Sequence, residues 1–297
     1  MTTGQISRRD AIRIGAGLLA AGTSTSILGK LTWAAGQKRI PIALQLYSVR
    51  GDCAKDFDKA LDAVAKMGFQ GVEFAGYHTY GGDAAGLRKK LDELGLKAAG
   101  THIGTSSFAE GNIQKTIEFH QTIGCKFLIV PGDGDFCHPE KSKTLAEKFN
   151  KAAEILKPHG MYCGYHNHTR EMGTAPGTDK TYWDLFAERT SKDVVLQQDC
   201  GWTAHTGRDP AVYVRKYPGR TKITHFKPEV HGNAAGKKAF IGQDSVNWPD
   251  VIAACYQVGG TEWITIEQES YPEGKSPMEC SELSFRGLKR ILAEMGT

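Results

Sequence analysis

The most restrictive feature of this sequence is a junction that recurs along it. A helix-like run closes on glycine, and an apolar run begins within a few residues. The pattern appears in AVAKMGFQGVEFAG, LDELGLKAAGTHIG, HQTIGCKFLIVPG, LKPHGMYCGYHNH and CYQVGGTEWITIE. Glycine just past a helix end takes the left-handed cap conformation that other residues adopt only under strain. Helix, glycine, strand, repeated, requires β and α elements to alternate, and alternation implies a parallel sheet.

The spacing predicts strands over 41–48, 71–75, 97–103, 126–131, 161–168, 194–200, 222–227 and 263–268. It predicts helices over 56–67, 84–94, 111–123, 142–157, 179–190, 209–217, 248–258 and 276–294. Phe57, Leu61 and Val64 fall on one helical face, as do Leu145, Phe149, Ala152, Ile155 and Leu156. Eight of each element in strict alternation match a single (β/α)8 TIM barrel, a fold of about 250 residues. A doubly wound open sheet is the alternative, but no G-x-G-x-x-G follows the first strand.

Residues 1–36 read differently. Arg8 and Arg9 precede a Gly/Ala/Ser-rich, mildly apolar stretch that ends in small residues. The run resembles a twin-arginine export signal and is too weakly apolar for a stable membrane span. The expectation is therefore an exported, periplasmic protein with a barrel domain over 37–297. The net charge of +4 on 297 residues, with no long basic run carrying interleaved aromatics, speaks against a nucleic-acid groove. The seven cysteines form no C-x-x-C pair and several lie in apolar runs, which predicts buried free thiols.

Catalytic groups of a barrel gather at the C-terminal ends of its strands. In this sequence those ends carry Gln45 and Tyr47, Glu73, His102, His166 and His168, Asp199, His225 and Lys227, and Glu267 and Glu269. An ionised carboxylate in a barrel mouth is costly unless it is paired or binds a metal. His166, Asp199, His225 and Glu267 come from the last four strands, which are spaced roughly 5 Å apart, so their side chains can meet on one ion. Two imidazoles and two carboxylates suit a divalent ion such as Mn2+, Zn2+ or Co2+. Glu171 stands in as a ligand if the fifth strand runs further.

QLYSVR, GVEFAG, YHNHTRE, QQDCGWTAHTGRDPAVYVRKYPGR, THFKPE and WITIEQE together resemble the xylose isomerase-like TIM barrels, often labelled sugar phosphate isomerase/epimerase. That group includes tagatose-type 3-epimerases, inosose dehydratase and 3-dehydroshikimate dehydratase. The resemblance covers residues 40–294 and implies one divalent metal on His166, Asp199, His225 and Glu267. It also implies a substrate pocket lined by Lys227, His168 and Trp202, with Glu73 and His102 opposite. Many relatives carry Glu-Asn-His at the fifth strand, and this chain carries His166-Asn167-His168. Only Glu267 remains of the two glutamates that exchange protons in the epimerases.

The expected chemistry is proton abstraction α to a carbonyl on a sugar, keto-sugar or polyol. Isomerisation or epimerisation is the main reading, and dehydration or elimination the alternative. Glu267 and His168 are the candidate bases, Lys227 the oxyanion partner, and Glu269, Gln45, Tyr47 and Trp202 further substrate contacts. An endonuclease IV-type hydrolase would need more ligands, and a non-catalytic sugar-binding protein would leave the clustered bases without a use. A small carbohydrate is the expected partner, and the oligomeric state, homo-oligomers included, is open.

Overall fold

A computed structural model describes residues 39–232 and 234–296. The expected export signal lies outside the described residues. Eight parallel strands form a nearly closed barrel: β1 (Ile42–Gln45), β2 (Gly71–Phe74), β3 (Lys97–His102), β4 (Phe127–Val130), β5 (Tyr162–His166), β6 (Val195–Gln197), β7 (Ile223–Phe226) and β8 (Trp263–Ile266). Neighbours follow chain order, and β1 also pairs with β8. Between β6 and β7 the seam closes through the bridge of Asp199 to His225 and the bond from His225 N to Gln198 O at 2.9 Å.

The helices are α1 (Arg50–Lys55), α2 (Phe57–Met67), α3 (Ala84–Leu94), α4 (Ile113–Ile123), α5 (Lys141–Leu156), α6 (Tyr182–Arg189), α7 (Cys200–His205), α8 (Pro210–Lys216), α9 (Trp248–Ala254) and α10 (Pro277–Glu294). Their ends obey local chemistry. Asp56 accepts from Lys59 N at the start of α2, and Gly68 ends that helix at φ +95°. Capping boxes of Thr181 with Asp184 and Ser276 with Glu279 open α6 and α10. Phe57, Ala60, Leu61 and Val64 of α2 are buried on one face. All seven cysteines are free, and every one but Cys137 is buried.

Inside the barrel, period two decides what lies where. Ala43, Val195 and Ile223 belong to an apolar interior cluster with Ala99, Phe127 and Ile129. Two residues onward along the same strands come Gln45, Gln197 and His225, all wholly buried. A polar layer thus rests on an apolar floor.

The predicted strands hold, but each ends earlier than its apolar run suggests, β1, β5, β6 and β8 by two or three residues and the others by one. After β1 the chain enters a tight turn, Leu46–Val49, and α1 follows. After β6 it enters α7 directly. Both short helices were absent from the expected pattern, because each consists of little more than one turn and shows no clear apolar stripe.

Candidate metal centre

His166 closes β5, Asp199 lies just past β6, His225 sits within β7 and Glu267 follows β8. One donor atom from each lies within 4.8 Å of all the others, and all four residues are buried. Asp199 Oδ2 is 3.7 Å from His225 Nδ1 and 3.9 Å from His166 Nε2. His225 Nδ1 is 3.2 Å from Glu267 Oε2. The sequence expectation of convergence is met in space.

Asp199 does two jobs. Its Oδ1 accepts from Trp202 N at 2.7 Å and caps α7, while its own N–H donates to Asn167 Oδ1 at 2.8 Å. Its Oδ2 is buried with no hydrogen-bond partner. A buried carboxylate oxygen left unpaired costs a good part of its desolvation penalty. A cation among these donors removes that cost, and two imidazoles with two carboxylates fit one divalent ion.

Behind the donors runs a hydrogen-bond chain. Glu73 Oε2 lies 2.6 Å from His225 Nε2. Gln197 Nε2 donates to Glu73 Oε1 at 2.7 Å. Gln197 Oε1 then accepts from His166 Nδ1 at 3.0 Å and His102 Nε2 at 2.8 Å. An amide oxygen and a carboxylate can only accept, so the ring nitrogens facing them are the protonated ones. That leaves His166 Nε2 directed at Asp199 without a proton, while His225 Nδ1 faces Glu267 Oε2 at 3.2 Å and carries a proton that a cation would displace. His102, His166 and His225 also form a second close group, but the atoms they share with one another surround Gln197 and Glu73.

Two features make room for this chain. The register between β2 and β3 slips after Val72, where β3 carries one extra residue, so that Gly100 stands opposite Glu73. Across from it, a Cβ on Gly100 would stand 2.7 Å from Ile223 Cδ1 and 3.2 Å from Glu73 Oε1.

The electrostatics are those of a crowded anionic pocket. Burial, and then the Glu267 carboxylate, push Asp199 up to about 8. Burial opposes charge on Glu267 too, but His225 and Lys227 hold it down at about 2. Burial disfavours a charged His225, yet Glu73 and Glu267 outweigh it and raise its pKa to about 10. Burial lowers His166 well below the usual histidine range. A cation competes directly with the protons these groups otherwise hold.

Above the donors opens a mouth of about 440 Å³, lined by Tyr47, His102, His166, His168, Glu267 and Glu269 among others. Lys227 is bonded to Glu269 and lies 4.5 Å over the Trp202 ring. Burial works against its charge, but Glu267, Asp199 and Glu269 keep the ammonium protonated. His168 stands 4.8 Å from His166 and 5.8 Å from Trp202, ring to ring.

Three expectations are corrected in position. Gln45 does not reach the mouth beside Tyr47: the chain turns after β1, and wholly buried Gln45 accepts from Tyr47 N at 3.1 Å. Glu73 lies behind His225, not at the mouth, with both oxygens engaged by protein. Glu171 caps the turn after β5 by accepting from His168 N at 2.9 Å, away from the four donors. Sequence reasoning missed Gln197 and Asn167. Gln197 sits two residues after Val195 on a strand whose interior positions alternate, and that register was the signal that could have found it.

Residues 61–290 match the family described as xylose isomerase-like TIM barrel. The chain belongs to that family. An inosose dehydratase from Clostridium botulinum (strain Alaska E43 / Type E3) is 24% identical over 261 residues, covering 75% of this chain and 85% of that protein. A sugar phosphate isomerase/epimerase structure from Parabacteroides distasonis aligns with a TM-score of 0.69 at 23% identity, covering 86% of this chain and 98% of that one. The IolI protein with a bound zinc atom aligns with a TM-score of 0.64 at 12% identity, over 86% and 99% of the two chains. At these identities the structures speak for the barrel alone. In this chain the four clustered donors come from four neighbouring strand ends, with His166 at the fifth strand.

Proposed function

We propose that this protein is a divalent-metal-dependent enzyme that abstracts a proton α to a carbonyl on a sugar, keto-sugar or cyclic polyol ketone. One observation carries the reading: Glu267 belongs both to the buried donor group and to the lining of the open mouth. Its neighbours His225 and Lys227 keep the Glu267 carboxylate ionised, and its place in the mouth lining puts it within reach of a substrate proton. His166, Asp199, His225 and Glu267 would hold the ion, which when bound supplies Lewis acidity towards a carbonyl oxygen. Lys227 contributes a fixed positive charge beside the mouth, where negative charge develops on that oxygen. Tyr47, in the mouth lining, offers a ring face to a sugar.

The arrangement favours elimination. Glu267 takes the α proton, a carbon–carbon double bond forms, and the β hydroxyl or alkoxide leaves with the bonding electron pair. His168 is placed to give that leaving oxygen its proton. The mouth lining also carries the imidazoles of His102, His166 and His168, and its second carboxylate, Glu269, is already bonded to Lys227. The kinship with an inosose dehydratase supports the same outcome. Isomerisation is the second reading, because a single carboxylate can return a proton to the neighbouring carbon. Export to the periplasm remains part of the proposal, on the strength of residues 8–36 alone.

The metal reading is tested by elemental analysis. Wild-type protein purified with Mn2+ or Zn2+ carries close to one ion per chain, and Asp199→Ala or His225→Ala loses it. Equal metal content in wild type and both variants would place the ion elsewhere. Among the described residues, no helix is long and apolar enough to cross a membrane.

A further inference from the structure

A second cleft, of about 730 Å³, opens on the same rim as the mouth and is the larger of the two. It is bordered by the end of α7 and the segment after β7, with His205, Arg208, Glu229, Val230, His231 and Val246 in its wall. None of these belongs to the donor group or to the mouth lining.

Trp202 touches one lining residue of each cavity, His168 of the mouth and His205 of the cleft. Trp202 lies against His168 at 5.8 Å and under Lys227 at 4.5 Å on the mouth side. On the other side its ring meets His205 edge-on at 5.9 Å. His205 Nδ1 in turn pairs with Glu229 at 2.9 Å, two residues beyond Lys227. The Trp202 indole N–H has no hydrogen-bond partner.

The chemistry of the wall selects the ligand class. Arg208, engaged by the Met172 carbonyl at 2.9 Å, shares the wall with two carboxylates, Asp209 and Glu229, and Glu229 is paired with His205, so no surplus of positive charge is presented. A phosphate or a polyanion would find no net positive field. Imidazoles and a carboxylate beside Val230 and Val246 offer donors, acceptors and apolar surface together, which suits a neutral polyhydroxylated ring.

We propose that this cleft is a second carbohydrate subsite. The substrate is then a glycoside or disaccharide, with its reacting ring in the mouth beside Glu267 and its second ring in the cleft beyond Trp202. This inference rests on the reading of the mouth as a carbohydrate site. Under elimination, the departing alkoxide would be the second sugar, already held in its own cleft.

The test is a saturation-transfer NMR titration of the full chain, with Mn2+ replaced by diamagnetic Zn2+, using glucose, maltose, cellobiose and sophorose. At least one disaccharide binds tenfold or more tightly than glucose. The variants His231→Trp, which fills the cleft, and His205→Ala, which removes the partner of Glu229, bring that ratio to within twofold. Thermal unfolding of each variant verifies that it folds, and two unrelated changes guard against one that does not. No disaccharide preference in wild type, or a preference that survives both changes, overturns the subsite. Hydrogen exchange from carbonyl sugars is a separate measurement, so failure of the proposed reaction is distinguishable from failure of this cleft.

Discussion

Glu73 Oε2 stands 2.6 Å from His225 Nε2, across the barrel interior from a residue 152 positions away in sequence. A carboxylate behind a ligating imidazole fixes the ring's tautomer and orientation and raises its basicity. Glu73→Gln keeps the shape and removes the charge. It lowers affinity for Zn2+ or Mn2+ by about 10- to 100-fold, measured by competition with a chromophoric chelator. Unchanged affinity would mean that Glu73 serves packing alone.

Gly201 allows α7 to lie directly on the end of β7. A Cβ there would sit 2.5 Å from the Lys227 carbonyl oxygen. Gly201→Ala must push α7 outward, carrying Trp202 and the N-terminal cap from Asp199 with it. Overpacking of this kind costs about 1–3 kcal/mol. The urea midpoint falls accordingly, and turnover falls with it because Lys227 and Asp199 shift together. A variant as stable and as active as wild type would show that the backbone there yields freely.

Asp184 gives the protein a pH-dependent contribution far from the donor group. Burial raises its carboxyl pKa, but bonds from Lys216, Tyr217 and Thr181 outweigh burial and leave it below the usual value. A group whose folded pKa is depressed stabilises above its unfolded pKa and loses that contribution as pH falls through the folded one. Asp184→Asn is therefore less stable than wild type at pH 7, by about 1–3 kcal/mol as for charged hydrogen bonds. The gap narrows as pH drops below about 4, the ordinary aspartate value. Urea titrations at several pH values check this, and a gap constant across the range would contradict it.

The barrel was legible because two independent signals agree along the chain: glycine at helix ends and apolar runs just after them. Gly68, Gly95, Gly124, Gly160 and Gly260 all adopt positive φ, as that reading requires. The four donors were legible because each lies at or just beyond a strand end, where polarity is out of place. Glu73 and Gln45 were misplaced for a physical reason. A sequence records that a polar residue faces the barrel interior, not whether it reaches the mouth. That depends on how deep in the barrel its strand position lies, as for Glu73 level with Gln45, and on the turn after Gln45, neither of which leaves a compositional mark. Gln197 was passed over because an uncharged amide looks unremarkable until three histidine and carboxylate partners surround it.

The central claim is that Glu267, beside a bound divalent ion, removes a proton α to a carbonyl. The direct measurement is solvent-deuterium incorporation by NMR, with Mn2+-loaded, subsequently chelator-quenched reactions on inososes, ketoses and 3-keto-glycosides. At least one substrate acquires deuterium at the α carbon or releases an unsaturated product, and Glu267→Gln slows this by about 100-fold or more, the scale of a lost general base. Wild-type protein with a full complement of metal that exchanges no α hydrogen in any of the three classes would contradict the account.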